Sequence, residues 1–342
     1  MESFLPTSPY WVAGTDSRHA ISDNITAPTL PGVGGAMEYA LQVAGPYKRL
    51  VEAARFANDR GLIALALPDH YLLALDEDAA QTTPAPDAFI QLGGLARETE
   101  DLDLVMLVSP ITFRHPAVLA KMAVTIDRMS GGRFTLGVGT GWMDREHEVF
   151  GFEYPDMAER FNMLEEALAY LTAAFDPESP GYAGKRYQLE AFPLAPHPDK
   201  KIPLLVGGTG ALKTPRLAGQ FADEFNVYPG PNLEERIDRF RRAAAEAGRD
   251  PDSIRLSSSG QVVAAATEGE FEEMMNENAS EAGLSRKALE AHYEKRHTPR
   301  GTYEGVRDQL DGFEKLGITR FYFQSIFSPS DTGKLLDGLG GC

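Results

Sequence analysis

Short apolar runs alternating with amphipathic stretches set the pattern of the chain from Met37 onward. Residues 37–44 predict a strand, and behind it Tyr47, Leu50, Val51, Ala54 and Ala57 fall at helical spacing, closed by Arg60-Gly61. Further strands are predicted at 62–68, 104–108, 134–138, 203–206, 222–227, 254–258 and 319–324. Helices are predicted at 87–98, 116–129, 156–175, 211–220, 233–247 and 303–316, the last with Thr302 as N-cap and Gly317 just past its end. Two stretches interrupt the alternation: an irregular one at about 176–200 with room for a hairpin, and a charged, helical one at about 268–300. Eight short strands, nearly all followed by helices, predict an α/β chain folded as a (β/α)8 TIM barrel with insertions. An open doubly wound sheet fits less well, because no Gly-rich dinucleotide fingerprint opens the pattern. Residues 1–35, with Pro6, Pro9, Pro28, Pro31 and a Gly32-Val33-Gly34-Gly35 tract, show neither period and read as an irregular arm, leaving 36–342 as one barrel domain.

Composition narrows the function. The 342 residues carry 33 Lys+Arg against 50 Asp+Glu, a formal net charge of -17, which disfavours nucleic acid and anionic membrane partners. An anionic ligand therefore has to be held locally, by backbone N–H groups and a few placed cations. A single cysteine, Cys342, excludes a disulfide framework and a Cys-rich metal site, and no metal site is expected elsewhere. No run approaches the roughly 18 apolar residues of a spanning helix, and the N-terminus does not read as a signal peptide. A cytoplasmic protein is the expectation.

In such barrels the chemistry lies just after the strands. That rule selects Asp69 and His70, then Ser109, then Gly139-Thr140-Gly141-Trp142, then Gly207-Gly208-Thr209-Gly210. His70 is either a proton donor and acceptor at a strand end or a histidine that caps a loop. The glycine loop is either a phosphate cradle at a helix N-terminus, with Lys213 adding charge, or a tight turn. Gly137-Val138-Gly139-Thr140-Gly141 lacks the third glycine of a Rossmann fingerprint, since Trp142 stands there, and suits close backbone approach to a flat ligand. Arg145, Glu146, His147 and Glu148 read as a solvated helical face, and His115 before Pro116 as a helix opening. His292 and His297 have no partners at metal spacing.

Four segments taken together resemble the luciferase-like superfamily of flavin- and deazaflavin-dependent oxidoreductases: YKRLVEAARFANDRGLIALALPDH (47–70), SPITFRHPAVLAKMAVTIDRMSGGRFTLGVGTGW (109–142), RFNMLEEAL (160–168) and LVGGTGALKTPRLAGQFADEFN (205–226). The resemblance runs from about residue 37 to the C-terminus. It implies the same barrel, usually as a homodimer, holding coenzyme F420 for hydride transfer or, alternatively, FMN for monooxygenation with reduced flavin from a separate reductase. It further implies that His70 moves the proton and that Asp69, Ser109, Thr140, Gly141 and Arg145 lie along the cofactor. Met106 and Leu107 fall where deazaflavin members carry a bulge with a non-prolyl cis peptide behind the ring. Gly207, Gly208 and Thr209 match the phosphate loop. Where sugar-phosphate dehydrogenases of the family have a catalytic Glu after Thr-Gly, this chain has Trp142, so a second acid for that reaction is missing and glucose 6-phosphate is disfavoured; Trp142 is either a flat wall that suits an apolar or aromatic small organic substrate or a packing residue. F420-dependent hydride transfer is the leading expectation. A barrel that binds an anion without turnover is the reading from a different class, and retention of Asp69, His70 and both glycine loops argues against it.

Overall fold

The predicted apolar runs become eight barrel strands: β1 Glu38–Gln42, β2 Ala64–Leu67, β3 Asp103–Pro110, β4 Phe134–Gly139, β5 Leu204–Gly208, β6 Glu224–Val227, β7 Arg255–Gly260 and β8 Arg320–Gln324. They come from a computed structural model that describes residues 37–73, 83–191, 198, 200–324 and 328–340. The arm expected at 1–35 and Cys342 lie outside the described residues. Each strand pairs in parallel with the next and β8 closes on β1, so the sheet is a complete barrel. Eleven helices are described: α1 Tyr47–Asp59, α2 Ala88–Glu98, α3 Pro116–Ser130, α4 Asp144–Phe150, α5 Met157–Phe175, α6 Lys213–Phe221, α7 Leu233–Glu246, α8 Glu268–Glu281, α9 Arg286–Lys295, α10 Tyr303–Lys315 and α11 Pro329–Gly338.

Local chemistry sets the helix ends. His115 caps α3 by accepting the Ala117 N–H at 3.1 Å, with Pro116 in the first turn where its missing N–H is harmless. Thr267 and Glu270 form a reciprocal capping box on α8, and Thr302 caps α10 as expected. The stretch at 176–200 does contain a hairpin, Tyr182–Ala183 against Gln188–Leu189. The charged stretch at 268–300 folds as α8 and α9 over a small core of Phe271, Met275, Ala279, Leu289 and Tyr293.

Two concentric layers of apolar packing hold the barrel. Outward-facing strand residues meet the helices in one continuous core that includes Leu41, Leu65, Met106, Leu136, Val206 and Phe225. The interior is filled by three alanines, Ala40, Ala64 and Ala66, and by the larger Val105, Leu107, Leu205 and Tyr322. At the N-terminal ends of the strands an ionic cluster plugs the barrel: Arg320 reaches Glu38 at 2.9 Å and the Tyr322 hydroxyl donates to Glu224 at 2.9 Å. That end is a structural plug, and the polar groups that the strand-end rule selects, Asp69, His70 and Ser109, gather at the opposite, C-terminal end.

Candidate active site

β3 carries the bulge implied by the resemblance. Its pairing with β4 shifts register between Met106 and Ser109, and the Leu107–Val108 peptide is cis. The bulge presents a different residue from those expected, however. Met106 is buried outward against the helices and Leu107 lies within the barrel, whereas Val108 is the half-buried member. A Cβ on Gly137, Gly139 or Gly207 would come within 3.0 Å of a Val108 methyl, and one on Gly137 would also overlap the Met106 carbonyl. Gly137 is thus required by the bulge, and Gly139 and Gly207 leave the room that Val108 occupies, so that together they make a floor of backbone and one valine.

Asp69 and His70 follow β2, as the strand-end rule selected. Asp69 is fully buried, and its Oδ2 accepts from the Ser109 hydroxyl at 2.6 Å and from the Arg114 guanidinium. Arg114 also donates to Asp87 at 2.6 Å and to the Tyr71 hydroxyl at 2.7 Å, with its plane 4.8 Å over the Phe89 ring. Burial pushes the Asp69 carboxyl above its ordinary value, against the opposing pull of Arg114 and the Ser109 hydrogen bond. Burial likewise pushes the Tyr71 hydroxyl up to about 12. The second Asp69 oxygen, Oδ1, is buried and has no partner among the described residues. An acceptor left in that state calls for a donor from a ligand.

His70 Nδ1 lies 2.8 Å from Glu146 Oε2, while Glu146 Oε1 accepts the N–H groups of Tyr71 at 2.5 Å and Leu72 at 2.8 Å. A carboxylate taking two backbone donors is an acceptor toward the ring too, so Nδ1 carries the hydrogen and Nε2 is the open nitrogen. Trp142 meets the His70 ring edge-on, centroids 5.5 Å apart at 72°, and remains 38% exposed.

Glu146 comes from α4, the helix on which the sequence places the run 145–148. The run 145–148 is only half a solvated face: Arg145 and Glu148 are exposed and pair with each other at 3.1 Å, whereas Glu146 and His147 are buried. Arg145, expected along the cofactor, therefore sits at the exposed rim. His147 donates from Nδ1 to the Met143 carbonyl at 2.8 Å and accepts the Thr112 hydroxyl at Nε2 at 2.7 Å, and burial holds its pKa below the usual value. Trp142 does stand where a Glu would follow Thr-Gly, and the carboxylate near it is of another kind, buried and committed to His70 and two backbone amides. An acid stands against His70, supplied four residues beyond Trp142 by one turn of helix.

Gly141 adopts φ 77° and its carbonyl accepts from Arg160 at 2.6 Å, which fixes the Thr140-Gly141-Trp142 turn. On the neighbouring strand β5, Gly208 at φ 150° leads the exposed Thr209 into α6, whose N-terminus has no side-chain cap. Lys213 lies 5.3 Å over the Phe161 ring at the start of that helix. Val108 on β3 packs under both turns, its methyls facing Gly139 of β4 and Gly207 of β5.

Sequence reasoning missed several polar groups at this end. Gln324 donates to Gln42 Oε1 at 2.6 Å and to the Tyr228 hydroxyl at 3.1 Å, and Gln42 donates to the Leu107 carbonyl of the bulge. Asn226 donates to Ser257 at 2.9 Å and accepts from Ser259 at 3.0 Å. Among the described residues no cluster of three His, Cys, Asp or Glu could hold a metal, and no helix is long and apolar enough to cross a membrane.

A closed parallel barrel with a half-buried histidine, a buried carboxylate and two glycine turns at its C-terminal end defines a class, and the chain belongs to the luciferase-like monooxygenase family, whose model matches residues 28–320. Among its relatives, an F420-dependent glucose-6-phosphate dehydrogenase of Microbacterium testaceum (strain StLB037) is 32% identical over 216 residues, 61% of this chain and 62% of that one. The chain thus matches about three fifths of that relative's length. Two solved structures share the fold: an F420-dependent secondary alcohol dehydrogenase in complex with an F420-acetone adduct (TM-score 0.73, 18% identity, 89% of this chain and 98% of that one) and a riboflavin lyase with modified FMN and riboflavin (TM-score 0.72, 16% identity, 89% and 90%).

Proposed function

We propose that the protein is a coenzyme F420-dependent oxidoreductase acting on a small, uncharged organic substrate. The observation that carries this reading is His70, with one ring nitrogen committed to a buried carboxylate and the other open beside Trp142. Hydride transfer to or from a carbon bearing oxygen needs a group that moves the accompanying proton, and a histidine so placed does that. The relative at 32% identity is named for the same cofactor.

The residues fit such a cofactor. Asp69 Oδ1 would accept from a ring N–H, Ser109 keeps that carboxylate aimed, and the Val108 floor with Gly139 and Gly207 admits a flat ring. Gly207, Gly208 and Thr209, with the uncapped amides of α6, would hold the phosphate, and Thr140 and Gly141 would flank the ring. Met106 and Leu107 would act only by shaping the bulge. Arg145 would meet the cofactor only by leaving Glu148. When bound, the deazaflavin supplies the carbon that takes or gives the hydride. His70 holds or returns the substrate proton at Nε2, and Trp142 walls the substrate side against water. Trp142 in place of a carboxylate supports an apolar or aromatic substrate over a sugar phosphate. The single cysteine and the absence of any described spanning helix support a cytoplasmic setting.

The FMN-dependent monooxygenase, fed by a separate flavin reductase, remains the second reading, because the FMN-containing neighbour matches the fold as closely as the F420 one. Equilibrium titrations with F420 and with oxidised and reduced FMN separate the two. Tight F420 binding with weak FMN binding is expected; preference for reduced FMN would overturn the assignment. His70→Ala is expected to lower F420-dependent turnover at least about 10²-fold while leaving the F420 Kd within a few-fold.

A further inference from the structure

We infer that Glu146 is the positioning residue for His70: it holds the ring in the Nδ1–H tautomer, so that the basic Nε2 faces the mouth, and it anchors the loop that carries the ring. The inference rests on the role proposed for His70 and adds the group that makes it competent. Glu146 is buried, and each of its oxygens has a separate task. Oε2 takes the Nδ1 hydrogen at 2.8 Å, and Oε1 takes the amides of Tyr71 and Leu72 at 2.5 and 2.8 Å. Three hydrogen bonds on one carboxylate leave the imidazole little rotational freedom about χ2. They also fix which nitrogen meets the substrate, so that Nε2 takes a hydroxyl proton from an alcohol being oxidised and returns that proton to a carbonyl being reduced.

The surroundings support positioning over mere packing. Glu146 is delivered by a two-turn helix anchored on both sides. His147, the next residue, is tied to Met143 and Thr112, and Gly151 ends the helix at φ 71°. The Thr140-Gly141-Trp142 turn ahead of it is held by Arg160, itself stacked 4.0 Å over Tyr154. Trp142, which meets the ring edge-on, and Glu146, which binds its nitrogen, therefore move as one piece. The ring is gripped by two residues four apart in sequence.

Glu146→Gln tests this directly. The Tyr71 and Leu72 amides demand an acceptor, so the glutamine oxygen stays with them and its NH2 turns to His70, forcing Nδ1 to accept and Nε2 to carry the hydrogen. In the full chain labelled with 15N-histidine, with His70→Ala identifying the His70 signals, wild type is expected to show a protonated Nδ1 and a pyridine-type Nε2 when the ring is neutral. Glu146→Gln is expected to reverse them, to lower kcat by about 10²–10⁴-fold, the range for losing a correctly protonated histidine, and to leave the F420 Kd within a few-fold. Glu146→Asp keeps a carboxylate and is expected to keep the wild-type tautomer and recover part of kcat. A wild-type ring in the Nε2–H form, or an unchanged tautomer in Glu146→Gln, overturns the pairing, and the wild-type spectrum decides the matter even if a variant does not fold. A reversed tautomer with turnover intact in both Glu146→Gln and His70→Ala instead overturns the function proposed for His70.

Discussion

At the scale of single residues, Asp69 shows how a buried charge is made tolerable. Its Oδ2 is paired with Arg114, and Arg114 is shared with Asp87 and Tyr71, so the guanidinium fork is used on several acceptors at once. Arg114→Met leaves Asp69 buried without its cation and is expected to destabilise the fold by about 3–5 kcal/mol, read by urea unfolding. Its pH dependence has a definite sign. Burial already raises the folded carboxyl above the unfolded value of 3.8, so the folded chain keeps a proton that the unfolded chain has released, and stability falls as pH rises through that interval. Removing Arg114 pushes the upper limit higher. The deficit of the variant is therefore largest at neutral pH and shrinks toward the ordinary carboxylate range, and a deficit that grows on acidification would contradict this account. Asp69 and His70 were legible in the sequence because they directly follow an apolar run. Arg114 and Glu146 were not, because a charged residue in a loop or short helix looks the same whether it faces water or a buried partner.

At the scale of elements, periodicity located every barrel strand to within a few residues, and capping chemistry at His115, Thr302 and Gly317 marked helix ends correctly. At α4 it gave a helix but not its buried side, because seven residues carry too few apolar side chains to show a stripe. Packing between elements was also hidden. α6 approaches α7 so closely that a Cβ on Gly219 would lie 2.6 Å from both the Phe240 carbonyl and the Ala244 nitrogen. Because both are backbone atoms that cannot swing aside, Gly219→Ala is expected to destabilise by about 3 kcal/mol, the upper end for overpacked cores. Gly61, with φ 69° and open space around it, is the control: Gly61→Ala should show only backbone strain of roughly 1 kcal/mol. Equal unfolding midpoints for the two variants would refute the close-approach argument. The bulge in β3 belongs to the same category, since the glycines that accommodate Val108 lie in β4 and β5, about thirty and one hundred residues away.

At the scale of the molecule, barrel closure separates a structural end from a chemical one. Arg320, Glu38, Glu224 and Tyr322 fill the N-terminal end, and Asp69, His70 and the glycine turns gather at the other. We propose that two copies associate, as the family resemblance implies; Ile90 on α2 and Val118 on α3, neighbouring helices, leave 74% and 48% of their surface exposed. Light scattering is expected to give twice the mass of one chain, and Ile90→Asp with Val118→Asp to shift it toward a single copy. A monomeric wild type would remove the proposal. By itself the sequence determined the barrel, because eight apolar runs of strand length joined by amphipathic helices have one economical closure, and it determined Asp69, His70 and the glycine turns, because strand ends are marked by where the apolar runs stop. Only the tertiary structure decided that Val108 forms the floor, that Arg114 neutralises Asp69 and that Glu146 grips His70. Those pairings join residues 45 and 76 positions apart, and nothing local in a charged side chain records which distant partner the fold will bring to it.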